Sequence, residues 1–444
     1  MVTYDTSRRP DIDTAVVEKA TFDWLLELQG HWKGEGALLR LVNRRALRLE
    51  NYVGYLESPA GEGIEILPKT EQRVPSDATL KRSRTLLRRM LAATSALSPR
   101  EADAAVLERS DDPLHEWVIG CYLSELKELV RRGLRFDYLD VEEETTHLRG
   151  RLLLERQLRQ PPSRQHRFQI RHQLYTPNRR ENRLLRNALD IVLRLTHLPE
   201  HWRLANELRH QLNEIVPYRE PLKELPRWAH NKLMRHYAAI RPWCSVVLEQ
   251  LNPDFQRGQY RGIAMLYPME RLFEGYVASQ FRQSLAGQGR LRTQVSRHSL
   301  VHHQPEGAAE PQPWFRLKPD LVYDQCDVRI VMDTKWKLID GNKASSSEKY
   351  ELSQADFYQL AAYGEKYLEG EGHLLLIYPA YQLFSSPLPA FRFREKLVLW
   401  VVPFDLEKGV LISGAWCDAV PALLPTTVPH GRGTNSVPHS DQAA

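Results

Sequence analysis

The sequence predicts an α/β protein of more than one domain, on three observations. Its 444 residues, 42% of them hydrophobic, are more than a single core usually serves. Short β-favouring runs and helical patterns alternate at both ends of the chain, whereas the middle is Arg-rich and reads as mainly helical. The expected organisation is an α/β amino-terminal domain over 1–150, a helical basic connector region over 151–260, a further α/β domain over 261–420 and a disordered tail over 421–444.

In the first segment Tyr52-Val-Gly-Tyr-Leu56 and Ile64-Glu-Ile-Leu67 read as short strands, joined by a Ser-Pro-Ala-Gly-Glu-Gly turn and closed by Pro68. Helical patterns follow at about Ser83–Leu97 and Leu114–Gly133, the second stopping on a glycine after Arg131 and Arg132. A strand-like stretch at Leu134–Leu139 precedes the acidic cluster Glu142–Glu144. In the middle segment Leu184, Leu185, Ala188, Ile191, Val192 and Leu195 recur at helical spacing, and Pro217, Pro221 and Pro226 mark a connector. The boundary between about 215 and 262 is soft, because Arg241-Pro-Trp243 and Pro253 fit either side. From Met265 the pattern is a helix (about Leu266–Leu285), several strands, a second helix (about Ser353–Leu368) and further strands to Leu406.

Charge and composition exclude several classes. The net charge is only +5, but residues 151–210 hold 13 Arg against 5 acids, a local +8 that leaves the rest near −3. Such concentration favours a phosphate-rich partner, with solvent-facing arginines as the equal alternative. Four cysteines stand far apart with no CxxC pair, which argues against a disulfide scaffold or a structural zinc site and fits a reducing, cytoplasmic setting. No run approaches the ~18–20 apolar residues of a membrane span, and Met1–Pro10 is polar. The absence of a GxxxxGK[ST] loop implies that this chain binds no nucleotide for hydrolysis by itself.

The densest chemistry lies in Lys318-Pro-Asp-Leu-Val-Tyr-Asp-Gln-Cys-Asp-Val-Arg-Ile-Val-Met-Asp-Thr-Lys-Trp-Lys337. It reads as a hairpin of strand Phe315–Tyr323, turn Asp324–Asp327 and strand Val328–Lys337. Val328, Ile330 and Met332 share one face, and Asp333 and Lys335 the other. Asp320, thirteen residues before Asp333, can lie beside it on the neighbouring strand. Two carboxylates and an ammonium at one point suit Mg²⁺ and an activated water, with the lysine orienting or deprotonating that water or offsetting transition-state charge. The competing reading is a surface ion pair. The bare [DE]xK pattern is weak and occurs twice, and Glu125-Leu-Lys127, inside a helical pattern, reads as a solvated pair.

Glu274 and Glu270 lie four apart on the preceding helix, whose core face is Leu266, Met269, Phe273, Tyr276 and Val277. Glu274 is favoured as a third metal-binding carboxylate. Gln359 and Tyr363 point the same way on the later helix and are candidates to meet DNA or position the lysine, with core packing the alternative for Tyr363. His302-His303 reads as loop, and Pro199 between His197 and His201 argues against a zinc-binding helix there.

At these residues the chain resembles the PD-(D/E)xK nuclease superfamily and, more narrowly, the McrC family, the nuclease subunit of McrBC-type modification-dependent restriction systems. Tyr52-Val-Gly54 with Ile64-Glu-Ile-Leu-Pro-Lys69 is similar to the family's amino-terminal signature, and Leu148-Arg-Gly-Arg151 and Glu181-Asn-Arg-Leu-Leu185 to its middle segment. Leu272-Phe-Glu274, Lys318-Pro-Asp320, Val331-Met-Asp-Thr-Lys335, Tyr358-Gln-Leu360 with Tyr363, and Leu375-Leu-Ile-Tyr-Pro379 resemble its nuclease domain. Pro177-Asn-Arg-Arg180 departs from the more acidic lead-in of the family, and the tail beyond Val420 is not covered. The resemblance implies a restriction-endonuclease-like domain, a mixed central sheet flanked by helices, at the carboxy-terminal end. It implies that the chain acts with a McrB-like AAA+ GTPase hexamer, which recognises modified cytosine in double-stranded DNA and is stimulated by the amino-terminal part of the nuclease subunit. Asp320, Asp333 and Lys335 match the catalytic set. The rival expectations are a stand-alone repair or recombination nuclease of the same superfamily, and an inactive scaffold that activates a motor.

Overall fold

The computed structural model describes residues 1–4, 14–32, 37–69, 77–94, 112–229, 231–250, 262–306 and 309–424, and these form two compact units, 1–272 and 273–444. The expected division at 150 is not a boundary. Strand Asp137–Thr145 pairs antiparallel with Phe168–Thr176, and helix Leu114–Arg132 packs on Arg180–Leu195, so hydrogen bonds and core contacts cross that point.

In the first unit a small four-stranded sheet (Ala15–Val16, Val2–Thr3, Ala46–Leu49, Leu39–Asn43) and helix Lys19–His31 share a core of Val2, Phe22, Trp24, Leu25, Leu47 and Leu56. Strand Tyr52–Glu57 lies between Gly63–Ile66 and Ile263–Pro268, antiparallel to both. Gly54 is required there: its φ is +140°, and a Cβ would come within 1.9 Å of the Met265 carbonyl oxygen. The strand Ile263–Pro268 also shortens the expected helix, which begins at Met269, so Leu266 belongs to a strand and not to the helix face.

A helical group stands beside these sheets. Leu114–Arg132, Arg180–Leu195, Pro199–Gln211 and Ile240–Gln250 pack on one another, and Gly133, at φ +93°, ends the first as the sequence predicts. Leu184, Leu185, Ala188, Leu189, Ile191 and Val192 are buried on the second, each large one contributing about 1.5–3 kcal/mol. Its start is pinned by polar groups. Glu181 accepts from Arg179 Nε at 2.7 Å and from the Ala229 amide at 3.0 Å, while Asn182 donates to the Arg135 and Pro177 carbonyls.

The expected strand at Leu134–Leu139 is longer and later, Asp137–Thr145, and takes in the acidic cluster. Its partner Phe168–Thr176 is a nine-residue strand inside the segment expected to be helical. Across this ribbon Arg156 and Arg171 bind Glu142, Arg149 binds Glu143 and Arg167 binds Glu144. Further along, Arg180 pairs with Glu224, and Arg186 and Arg209 pair with Asp190. Much of the local positive charge is therefore answered inside the unit, which weakens the reading of 151–210 as a phosphate footprint.

The second unit is built on a seven-stranded mixed sheet. Its order is Arg290–Thr293, Leu321–Gln325, Val328–Thr334, Gly372–Pro379, Leu397–Asp405, Phe391–Arg392, with Val410–Leu411 also on Leu397–Asp405. Val328–Thr334, Gly372–Pro379 and Leu397–Asp405 run parallel. Such strands are covered on both faces, and Leu374 through Tyr378 are all buried. Helix Gln354–Tyr367 connects the first two and packs on them through Leu360 and Tyr363, which join Val331, Leu374, Leu376 and Leu399 in one core. By strand alternation Phe404 faces the opposite side, where Phe273 and Tyr276 of helix Met269–Ser284 meet it.

The hairpin forms with altered limits. Gln312–Leu317 belongs to a separate two-stranded ribbon with His298–His303, so the chain breaks at Lys318–Asp320 before Leu321–Gln325 begins. The turn is Cys326–Asp327, the second strand ends at Thr334, and Val328 is exposed rather than part of a buried face. His302 and His303 lie in a strand, not a loop, and are exposed. Pro421–Leu423 form a 3-10 turn with Leu423 buried, which trims the expected tail, and 425–444 lie outside the described residues, as do 95–97 of the first predicted helix and Pro253.

Candidate active site

The hairpin register decides the site. Leu321 pairs with Met332, so Asp320, one residue earlier, stands opposite Asp333 at the end of the ladder. Lys335 continues the ladder by donating its amide to Ile377 at 2.9 Å. Alternation then puts Val331, Asp333 and Lys335 on the face covered by helix Gln354–Tyr367.

The side chains form one connected group. Lys335 Nζ lies 2.7 Å from Asp333 Oδ2 and contacts Gln359 Oε1 at 3.4 Å, and Gln359 Nε2 donates to the Tyr363 hydroxyl at 2.6 Å. Asp320 Oδ2 accepts from the Thr334 amide and hydroxyl, both at 2.8 Å. Gln294 Nε2 reaches Asp320 Oδ1 at 3.4 Å and also donates to Glu274 Oε1. Glu274 thus joins Asp320 through an amide and not directly, while Glu270 is exposed. Tyr363 is buried in the core, as its packing alternative expects, and its hydroxyl accepts from Gln359 at the end of the polar chain.

Electrostatically the acids are crowded. Asp333 is 2% exposed, and burial, reinforced by the neighbouring Asp320 charge, drives its carboxyl above the usual range. Asp320 is raised too, by burial, although the Thr334 hydrogen bonds oppose the rise. Burial works against the charge on Lys335, but Asp333 outweighs it and holds the lysine as an ammonium. One ammonium therefore serves two adjoining carboxylates. Their all-oxygen donor set and surplus negative charge fit a hard divalent cation such as Mg²⁺.

Three contributors escaped the sequence reading. Gln294 sits in the left-handed region at φ +51° and bridges two of the acids from a different segment. Thr334 lies between Asp333 and Lys335 in the chain, yet its side chain binds Asp320. Asp356 adds negative charge near Asp333 and accepts from the Tyr378 hydroxyl at 3.3 Å. Only Thr334 carried a signal, the middle position of the Asp333-Thr-Lys335 pattern.

A family model described as "McrBC 5-methylcytosine restriction system component" matches residues 47–379. Among solved structures, the fold is similar to a chain of a half-complex from a tetradecameric assembly of Thermococcus gammatolerans McrB AAA+ hexamers with bound McrC. The TM-score is 0.65 at 18% identity, over 92% of this chain and 95% of that one. A chain of the Thermococcus gammatolerans McrBC complex solved by cryo-EM aligns with a TM-score of 0.48 at 20% identity, over 62% of this chain and 85% of that one. No curated protein matches the sequence. No helix among the described residues is long and apolar enough to cross a membrane.

Proposed function

Since the chain belongs to the McrBC 5-methylcytosine restriction system component family, we propose that it is the nuclease subunit of such a system, a Mg²⁺-dependent endonuclease acting on modified double-stranded DNA with an AAA+ GTPase hexamer. The observation that carries this reading is the meeting of Asp320, Asp333 and Lys335 at the end of one hairpin. One buried and one half-buried carboxylate sharing a single ammonium make a poor structural ion pair, since part of the excess charge is desolvated without a second cation. They make a good receptacle for a divalent ion and a phosphate.

Asp320 and Asp333 would hold the ion, with Glu274 joining if the Gln294 amide swings aside. When bound, Mg²⁺ supplies Lewis-acid polarisation of the scissile phosphate and lowers the pKa of water. The protein's own part is orientation. Thr334 fixes the Asp320 carboxylate, and Asp333 and Gln359 hold the Lys335 ammonium, which offers its protons to the attacking water and to charge building on the phosphate oxygens. The DNA backbone would approach from the helix Gln354–Tyr367 side, within reach of Gln359. In this division of labour the partner supplies base recognition and nucleotide hydrolysis, and the amino-terminal unit supplies the contact that stimulates it.

The test is cleavage of methylated duplex DNA by the purified chain with its AAA+ partner, GTP and Mg²⁺. Asp333→Asn and Lys335→Ala are expected to abolish cutting while GTPase stimulation persists. Cutting at the wild-type rate by either variant would refute the site, and failure of the chain to bind or stimulate the motor would refute the partner assignment.

A further inference from the structure

A second cluster of ligating groups lies in the amino-terminal unit, formed by residues from three separate segments. Glu57 ends strand Tyr52–Glu57, His115 opens helix Leu114–Arg132, and His197 lies in the link between Arg180–Leu195 and Pro199–Gln211. One ligand atom from each lies within 4.8 Å of the other two, and His197 Nε2 is 3.5 Å from Glu57 Oε1.

His115 makes this more than a chance grouping. Its side chain is 2% exposed, yet neither ring nitrogen has a hydrogen-bond partner. Its Nε2 lies 3.8 Å from Glu116 Oε1, too far for a hydrogen bond; buried polar atoms are nearly always satisfied, so an imidazole without a hydrogen bond beside a carboxylate and a second imidazole points to a missing partner. The ring is held in place by stacking on Tyr55, with centroids 4.2 Å apart, and meets His197 edge-on.

The surroundings orient the other two groups. The Tyr55 hydroxyl donates to Glu57 Oε2 at 2.8 Å, which leaves Oε1 facing His197. Glu116, 2% exposed, accepts from the His197 amide, from Thr196 Oγ1 at 2.9 Å and from His201 Nδ1 at 2.8 Å, and so anchors the link that carries His197. Such outer partners are what a metal site requires to keep its ligands aimed.

We propose that Glu57, His115 and His197 bind a divalent transition metal of the zinc class. Two imidazoles and one carboxylate suit Zn²⁺ and not Mg²⁺, and three protein ligands leave a fourth position for water. With bonds of about 2.0–2.1 Å, tetrahedral ligands sit about 3.3 Å apart, so the 3.5 Å pair is already near that spacing and the third ligand, within 4.8 Å of both, closes in by at most about 1.5 Å. His197 is 65% exposed and free to turn. The ion would tie the central strand of one sheet to two helices of the same unit.

The test uses the full chain without a histidine tag, stripped with chelator and titrated with Co²⁺ and then Zn²⁺ under excess Mg²⁺. One equivalent of Co²⁺ with visible d–d absorption, displaced by Zn²⁺, is expected, together with a Zn²⁺-dependent rise in unfolding temperature. His197→Ala, at a mostly exposed position that should not disturb folding, is expected to weaken binding at least about 100-fold and abolish that rise, as is Glu57→Gln. Asp333→Asn should bind as wild type. Undiminished binding in His197→Ala, binding lost only in Asp333→Asn, or no Co²⁺ spectrum in the wild type would each overturn the proposal.

Discussion

Replacing Asp333 with Asn should make the metal-free protein more stable while destroying its activity. Burial and the Asp320 charge push the Asp333 carboxyl from 3.8 up to about 7. At roughly 1.4 kcal/mol per pK unit, ionising it in the folded state costs at most about 4 kcal/mol. That figure already includes the favourable pull of Lys335, and the repulsion belongs to Asp320 and Asp333 jointly, so only part of it is recovered in the variant. A net gain of about 1–3 kcal/mol at pH 8 remains. The sign follows from a folded pKa above the unfolded one. The penalty is absent below about 3.8, grows as pH rises and is complete above about 7, so at pH 5 the advantage of the variant should shrink to about a third. Urea unfolding of both proteins in EDTA at pH 5 and pH 8 measures this. A variant less stable than wild type at pH 8, or an advantage that grows on acidification, would refute the picture of two crowded acids. Added Mg²⁺ should stabilise the wild type more than the variant, because the ion binds the charges that the substitution removes.

Other expectations follow from single contacts. Glu181→Ala leaves Arg179 and the Ala229 amide without their acceptor at a buried helix start and should cost about 3–5 kcal/mol in urea unfolding. Burial opposes the Glu181 charge, but the bonds from Arg179 and Ala229 prevail and lower its pKa, so in the wild type this stability is present above the ordinary carboxylate range and lost as acid protonates the group. Gly54→Ala drives a methyl into the Met265 carbonyl and should lower stability by about 1–3 kcal/mol or more, measured by thermal unfolding. Gln359→Ala removes the contact that steadies Lys335 and should slow cleavage about 10-fold with the fold intact, read as turnover against circular dichroism.

The core of the site was legible because it is local. Asp320, Asp333 and Lys335 fall within one hairpin, where a strand period of two fixes who faces whom. Gln294 was not legible, because its role depends on a left-handed residue reaching in from the bend after strand Arg290–Thr293. The Glu57, His115 and His197 cluster was invisible for a stronger reason, as three segments far apart in sequence meet only after the helices pack. Apolar stripes and a glycine stop located helices Leu114–Arg132, Arg180–Leu195 and Gln354–Tyr367, whereas Lys19–His31 was not read from the sequence. The ribbon Asp137–Thr145 with Phe168–Thr176 was missed since both strands are largely polar and exposed, and a net-charge count along the chain could not reveal that Glu142–Glu144 answer arginines across it.

The two-residue turn at Cys326–Asp327 also works as a ruler for chemistry at the far end of its hairpin. Because the opposed acids are counted outward from that turn, adding or deleting one residue between them would turn one carboxylate toward the wrong side of the sheet unless a bulge absorbed the change. Length variation in this unit is therefore tolerable in the loops that flank the hairpin but not within it, and the proposed site could be silenced there without touching any of its acids or its lysine.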